Sequence, residues 1–157
     1  MALRVIRGKD SVLELGDPDA LAEPIGITIQ GQATSVSLTN ETETGVEKTL
    51  DQDVSFGWVD TPTWNISISY LQLYDDGTAT VGEALAEWLF THAGAVVPFS
   101  FTPVASVPTE VWTGTCTIVS GGFSVAQGET SAQEITLPVS GQPTINGVAY
   151  GSSAVAV

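Results

Sequence analysis

The stretch TWNISISYLQLYDDGTATVGEALAEWLFTHAGAVVPFSFT, residues 63–102, decides the fold. Trp64, Ile66, Ile68 and Tyr70 alternate with Asn65, Ser67 and Ser69, the period of a half-buried strand. Leu71 and Leu73 then carry apolar residues on the opposite parity, which predicts a bulge or a strand end covered on both faces. Asp75-Asp76-Gly77 is a turn signal, because Gly supplies positive φ and Asp bonds its own backbone. Thr80-Val81-Gly82-Glu83 has the form of a capping box. Val81, Ala84, Leu85, Trp88 and Leu89 follow at helical spacing, with His92 and Gly94 where a helix ends. The spacing predicts one helix over about residues 81–93. Val96, Val97, Phe99 and Phe101 resume as a strand, stopped by Pro103.

Upstream, Leu3 and Val5 make a short arm, and Val12, Leu13 and Leu15 a short strand that ends at Gly16-Asp17-Pro18. Ile25, Ile27 and Ile29 alternate with polar or small residues, and Val36 and Leu38 continue beyond Gly31. Residues 40–53 break the pattern with Glu41, Glu43, Glu47, Asp51 and Asp53. They read as a long acidic loop, and loops of that length tend to be functional or mobile. Phe56 and Trp58 precede a turn at Asp60-Thr61-Pro62.

Downstream, Val111, Thr113, Thr115, Thr117 and Val119 face one way, while Trp112, Gly114, Cys116 and Ile118 face the other. Gly121-Gly122 predicts a hairpin turn into Phe123 and Val125. Ile135, Leu137 and Val139 alternate as a further strand, with Pro138 placing it near an edge or a bulge. Residues 143–157 read as a small, nearly uncharged C-terminal tail. About nine strands and one helix predict a mainly β fold, an antiparallel sandwich or barrel with one flanking helix. The expected organisation is a single domain over residues 1–142, with a basic arm at 1–10, followed by the tail.

Charge narrows the function. Among 157 residues, 18 are acidic and 4 are Lys or Arg, a formal net charge of −14. Three of the four bases, Arg4, Arg7 and Lys9, lie in the first nine residues, and beyond them only Lys48 is positive. Such a surface cannot grip phosphates by counterion release. Hydrophobic residues make up 43% and charged residues 14%, which argues against disorder. No apolar run has the length of a signal peptide or a membrane span, so the expectation is a protein made in a cytosol and in contact with no membrane.

Catalytic and metal-binding constellations are scarce. His92 is the lone histidine and sits where it caps a helix; Cys116 is the lone cysteine, on an apolar strand face. No disulfide framework or thiolate metal site can form within one chain. The nucleophile, P-loop and zincin motifs are absent. The carboxylate pairs Asp51/Asp53, Glu41/Glu43 and Asp75/Asp76 fall in turns and do not match an EF-hand. Trp58, Trp64, Trp88 and Trp112 are expected in the core rather than on a sugar platform. The expectation is therefore no enzyme, no cofactor and no metal.

What remains is surface: the basic arm, the acidic loop and the tail. Like-charged copies repel, so self-assembly needs a compensating contact. Arg4, Arg7 and Lys9 pairing with the loop of a neighbouring copy (Glu41, Glu43, Glu47, Asp51, Asp53) would supply it.

The order of elements now resembles a known family. The run Trp64–Tyr70, the helix containing Glu83-Ala84-Leu85-Ala86-Glu87-Trp88-Leu89, the strand Val111–Ile118 and the close Glu134–Pro143 are similar to the major tail (tail tube) proteins of long-tailed bacteriophages. The resemblance covers roughly residues 25–143 and is one of pattern. It implies a β-sandwich with a flanking helix, six copies per ring, and rings stacked into a tube that carries DNA to the host during genome ejection. It implies a virion-tail location, assembly in the host bacterial cytoplasm, and tape measure, terminator and tip proteins as partners. DNA would pass without specific binding along a negative lumen. The candidates for that wall are Ser67, Ser69, Thr113, Thr115 and Thr117. An immunoglobulin-like or carbohydrate-binding surface module, and another tube or decoration component of a virion, stay open as alternatives.

Overall fold

The computed structural model describes residues 11–16, 26–28, 33–48, 50, 55–72, 85–104, 110–122 and 126–152, of which 26–28 are described by backbone alone. In chain order the strands are β1 (Val12–Gly16), β2 (Gly26–Thr28), β3 (Ala33–Glu41), β4 (Thr44–Lys48), β5 (Ser55–Val59), β6 (Thr63–Leu71), β7 (Val96–Thr102), β8 (Trp112–Thr117), β9 (Ala132–Ile145) and β10 (Val148–Ala149). One helix, α1 (Leu85–Thr91), lies between β6 and β7. The predicted turn at 75–77, the capping box at 80–83 and the return strand at Phe123 and Val125 lie outside the described residues.

Eight strands form one curled antiparallel sheet in the order β2-β1-β7-β8-β9-β6-β3, with β10 paired to β9. The 14-residue β9 is its corner. Its first half pairs with β6, from Leu71↔Ala132 to Asn65↔Pro138. Its second half pairs with β8, from Cys116↔Val139 to Trp112↔Ile145. Between Thr113 and Thr115 the β8–β9 register shifts, because Gly141, Gln142 and Pro143 form a bulge on β9. Gly141 takes φ 71°, a left-handed conformation that glycine adopts without a Cβ clash. Gln142 secures the corner: it accepts from Trp64 Nε1 at 2.7 Å and donates to the Pro62 carbonyl at 2.9 Å.

Pro138 thus sits at the hand-over from one partner strand to the other, where a missing N–H does least damage. Residues 143–145 and 148–149, assigned to a tail from the sequence, are strand instead. Asn146-Gly147, with φ 50° and 81°, makes the tight turn into β10.

The two wings of the sheet enclose a core of Leu13, Leu15, Ile66, Ile68, Tyr70, Val97, Phe99, Cys116, Ile118, Ile135 and Leu137. The helix adds Leu85, Trp88 and Leu89, spaced i, i+3, i+4 on one face. Burying these side chains fully is worth about 1.5–3 kcal/mol each before conformational entropy is subtracted.

The stretch read as a long acidic loop differs most from expectation. β3 runs on to Glu41, and residues 44–48 are strand β4, paired with β5 from Thr44↔Val59 to Lys48↔Ser55. This hairpin is separate from the eight-stranded sheet.

Candidate functional site

Two surfaces stand out, and the first is a face of hydroxyls. Along β6 the buried Ile66, Ile68 and Tyr70 turn Ser67 and Ser69 to the opposite face. Along β8 the buried Cys116 turns Thr115 and Thr117 outward, with Thr113 in phase. The strand between joins the two sets: Ser69 pairs with Glu134, Ser67 with Thr136, Thr115 with Ser140 and Thr113 with Thr144. All five candidate wall residues therefore share one continuous face of the curled sheet. Ser35 and Ser37 extend it on β3, and Ser100 extends it on β7. Thr113 and Thr144 hydroxyls bond each other at 2.8 Å.

Three carboxylates lie on this face: Glu134 opposite Ser69, Glu14 opposite Ser100 and Glu41 opposite Thr63. Lys48 is the only Lys or Arg among the described residues, and it lies on the separate hairpin. Hydroxyls exchange hydrogen bonds with water or a passing polar chain, and among the described residues no cation stands on this face to hold a phosphate.

The second surface is the β4–β5 hairpin. Glu47 is exposed on it, and Glu41, at the end of β3, and Glu43, between β3 and β4, are exposed just before it. Arg4, Arg7, Lys9, Asp51 and Asp53 lie outside the described residues. The hairpin also bares Val46, Leu50, Phe56 (63% exposed), Trp58 (40%) and Val59. Trp58 was expected in the core, and the structure corrects this: its indole lies across Gly45 on the hairpin itself. No side chain fits beneath that ring. A two-stranded hairpin is marginal by itself in water, and clustered exposed apolar residues mark an interaction site. Sequence reasoning missed this patch because Phe56 and Trp58 alternate as a buried strand would. The available signal was that β5 is apolar on both parities, Phe56 and Trp58 on one and Val59 on the other.

The remaining candidates are structural. His92 Nδ1 lies 2.9 Å from the Trp88 carbonyl, and a carbonyl only accepts, so Nδ1 carries the proton. The imidazole stacks on the Trp88 indole at 4.6 Å, which fastens the helix end. Cys116 is fully buried, and desolvation pushes its thiol up to about 11. Trp64 and Trp112 meet at 6.0 Å, and Trp112 Nε1 donates to Glu110 Oε1 at 2.8 Å. Among the described residues no group of three His, Cys, Asp or Glu is placed to hold a metal. No helix among them is long and apolar enough to cross a membrane.

No protein-family model matches the chain, and no curated protein matches it. Solved structures do. A chain from the tail of an empty gene transfer agent particle, refined with C6 symmetry, is 17% identical with a TM-score of 0.59, covering 88% of this chain and 96% of that one. A chain of the anti-feeding prophage baseplate, 6-fold symmetrised, is 9% identical with a TM-score of 0.60, covering 92% and 97%. A chain of the SPP1 tail tube is 15% identical with a TM-score of 0.53, covering 90% and 78%. At these identities the likeness is one of fold, and it extends over nearly the whole chain.

Proposed function

We propose that this chain is a structural subunit of a phage-type tail tube, which assembles with itself into rings stacked along a conduit for DNA. The observation that carries the reading is the hydroxyl face, free of Lys and Arg among the described residues and borne on the fold that tail and tube chains share. Six copies per ring is the symmetry of the gene transfer agent tail and of the prophage baseplate, and the reading adopts it.

DNA that must slide needs a wall that wets it without holding it. Lysines or arginines on that wall would release counterions and bind the backbone. Ser67, Ser69, Thr113, Thr115 and Thr117, with Glu14 and Glu134 among them, line the lumen in this reading. The net charge of −14 keeps DNA off the wall within a Debye length of about 8 Å at physiological salt. The sheet ends at β2 and β3, and joining these edges between copies removes a liability that a lone subunit would carry.

The hairpin then serves stacking, with its apolar residues covered by a neighbouring ring. Arg4, Arg7 and Lys9 meet Glu41, Glu43, Glu47, Asp51 and Asp53 of an adjacent copy in the same contact. Tape measure, terminator and tip proteins are the further partners, and the location is the virion tail, assembled in the bacterial cytoplasm. The role is mechanical rather than catalytic.

Negative-stain microscopy of the purified protein, with sizing across a concentration series, tests this. Rings or tubes with a central channel are the expected result. Single globules at the highest concentration reached, together with absence of the chain from tail shafts, would overturn the proposal.

A further inference from the structure

The tube reading leaves open what the hairpin seats on, and resting on that reading the charge pattern identifies a partner surface. Directly paired residues of an antiparallel hairpin share a face. Thr44, Val46 and Lys48 therefore lie with Val59, Gly57 and Ser55, while Glu47, Phe56 and Trp58 share the other face. The first face bears two exposed valines, Val46 and Val59, and its one charge is positive. In a subunit this anionic, most contacts between copies bring acid to acid. Among the described residues this is the one face where charge favours self-association.

A complementary surface lies on the body. Ala86, Glu87, Phe90 and Thr91 of α1 and Ser120, Gly121 and Gly122 beyond β8 line an open groove of about 450 Å³. Phe90 is 76% exposed on its wall, and the groove's one charge is Glu87. Gly122 leaves the floor open, since an added Cβ there would meet only Gln133 Oε1, at 4.0 Å. The other exposed apolar group with an acid nearby, around Tyr150, offers less: Glu110 already accepts from Trp112, and Tyr150 already packs edge-on against Trp64.

We infer that the Val46–Lys48–Val59 face of one copy docks in the groove between α1 and residues 120–122 of another copy, with Lys48 against Glu87. The two patches differ, so the contact is heterologous; repeated from copy to copy, it closes a ring or extends a polymer rather than stopping at a dimer.

Charge reversal on the full chain tests the pairing. Lys48→Glu and Glu87→Lys alone should each raise the concentration needed for polymers by about fivefold or more, because attraction becomes repulsion. The double variant K48E/E87K should restore most of the loss, and thermal melts check that all three fold. In a second arm, Val46→Cys protein mixed with Phe90→Cys protein should form a cross-copy disulfide on oxidation, since Cys116 is buried. Wild-type tubes with indifferent single variants, or with no recovery in the double variant and no cross-link, would overturn the docking assignment and leave the tube reading standing. Wild-type protein that never polymerises would overturn the tube reading and the assignment with it.

Discussion

Strands β5 and β6 carry the same kind of pattern and meet opposite fates. In β6, Trp64, Ile66, Ile68 and Tyr70 alternate with polar residues and are all buried. In β5, Phe56 and Trp58 flank a glycine on one face, and both remain exposed. The difference is neighbours: β6 lies between β3 and β9 over a core that the helix helps to close, whereas β5 has only β4 beside it. Alternation specifies a face, and only tertiary context decides whether that face belongs to the subunit's own core or to another molecule.

The sharpest way to break this comparison is truncation in β6. Ile68→Ala removes a fully buried side chain between the two wings and should cost about 2–5 kcal/mol. In a domain of this size each kcal/mol lowers Tm by about 2–4 °C, so thermal or urea unfolding reads it easily. A silent Ile68→Ala would mean that the β6 face is not the core.

Next in size is Gly121→Ala. A Cβ there would lie 2.5 Å from the Tyr70 hydroxyl and 3.0 Å from Ile135 Cγ2, and overpacking of this kind costs about 1–3 kcal/mol. Tyr70→Phe in the same chain removes the closer obstacle and should recover part of the loss. Alone, Tyr70→Phe should be neutral or stabilising, because the hydroxyl is buried with no hydrogen-bond partner. A double variant no better than Gly121→Ala alone would refute the steric account.

Much of this was legible in the sequence, for a physical reason. Period-two alternation in β6 and β8 and the i, i+3, i+4 pattern of Leu85, Trp88 and Leu89 are local signals, and they located the core face, the helix and the phase of Ser67, Ser69, Thr113, Thr115 and Thr117. The corner in β9 was not legible. Nothing local distinguishes a strand with one set of partners from a strand that changes partner at Pro138–Val139, and Pro143 reads as the start of a tail. The hairpin failed in the opposite direction. Its acids drew attention to a loop, while Trp58 was expected in a core that the hairpin does not reach.

A smaller effect separates the two regions by pH. Burial raises Cys116 from 9.0 to about 11 and also raises Tyr70 above its ordinary 10.0. Both groups hold their protons more tightly folded than unfolded, so the unfolded chain loses protons first as pH rises. Stability from this source is fully present below about pH 9 and is lost as pH climbs through about 11. Replacing Cys116 with Ala should flatten the early part of that decline in urea titrations at stepped pH, although the cavity lowers stability throughout. An unchanged slope would place the alkaline sensitivity elsewhere.

The smallest expected change in stability is the most telling. Phe56→Ser strips an aromatic ring from β5, a substitution that in β6 would be severe. Because that ring is 63% exposed and the hairpin stands apart from the sheet, unfolding should shift by no more than about 0.5 kcal/mol. Polymer formation should fall if the exposed side chains are what neighbouring copies cover. A melt that drops several degrees would mean that the hairpin packs on its own subunit, and the contrast between β5 and β6 would vanish. An unshifted melt with full polymer yield would keep the contrast but take Phe56 out of the assembly contact. An unshifted melt with lost polymers would make the hairpin a piece of core whose other half is another copy.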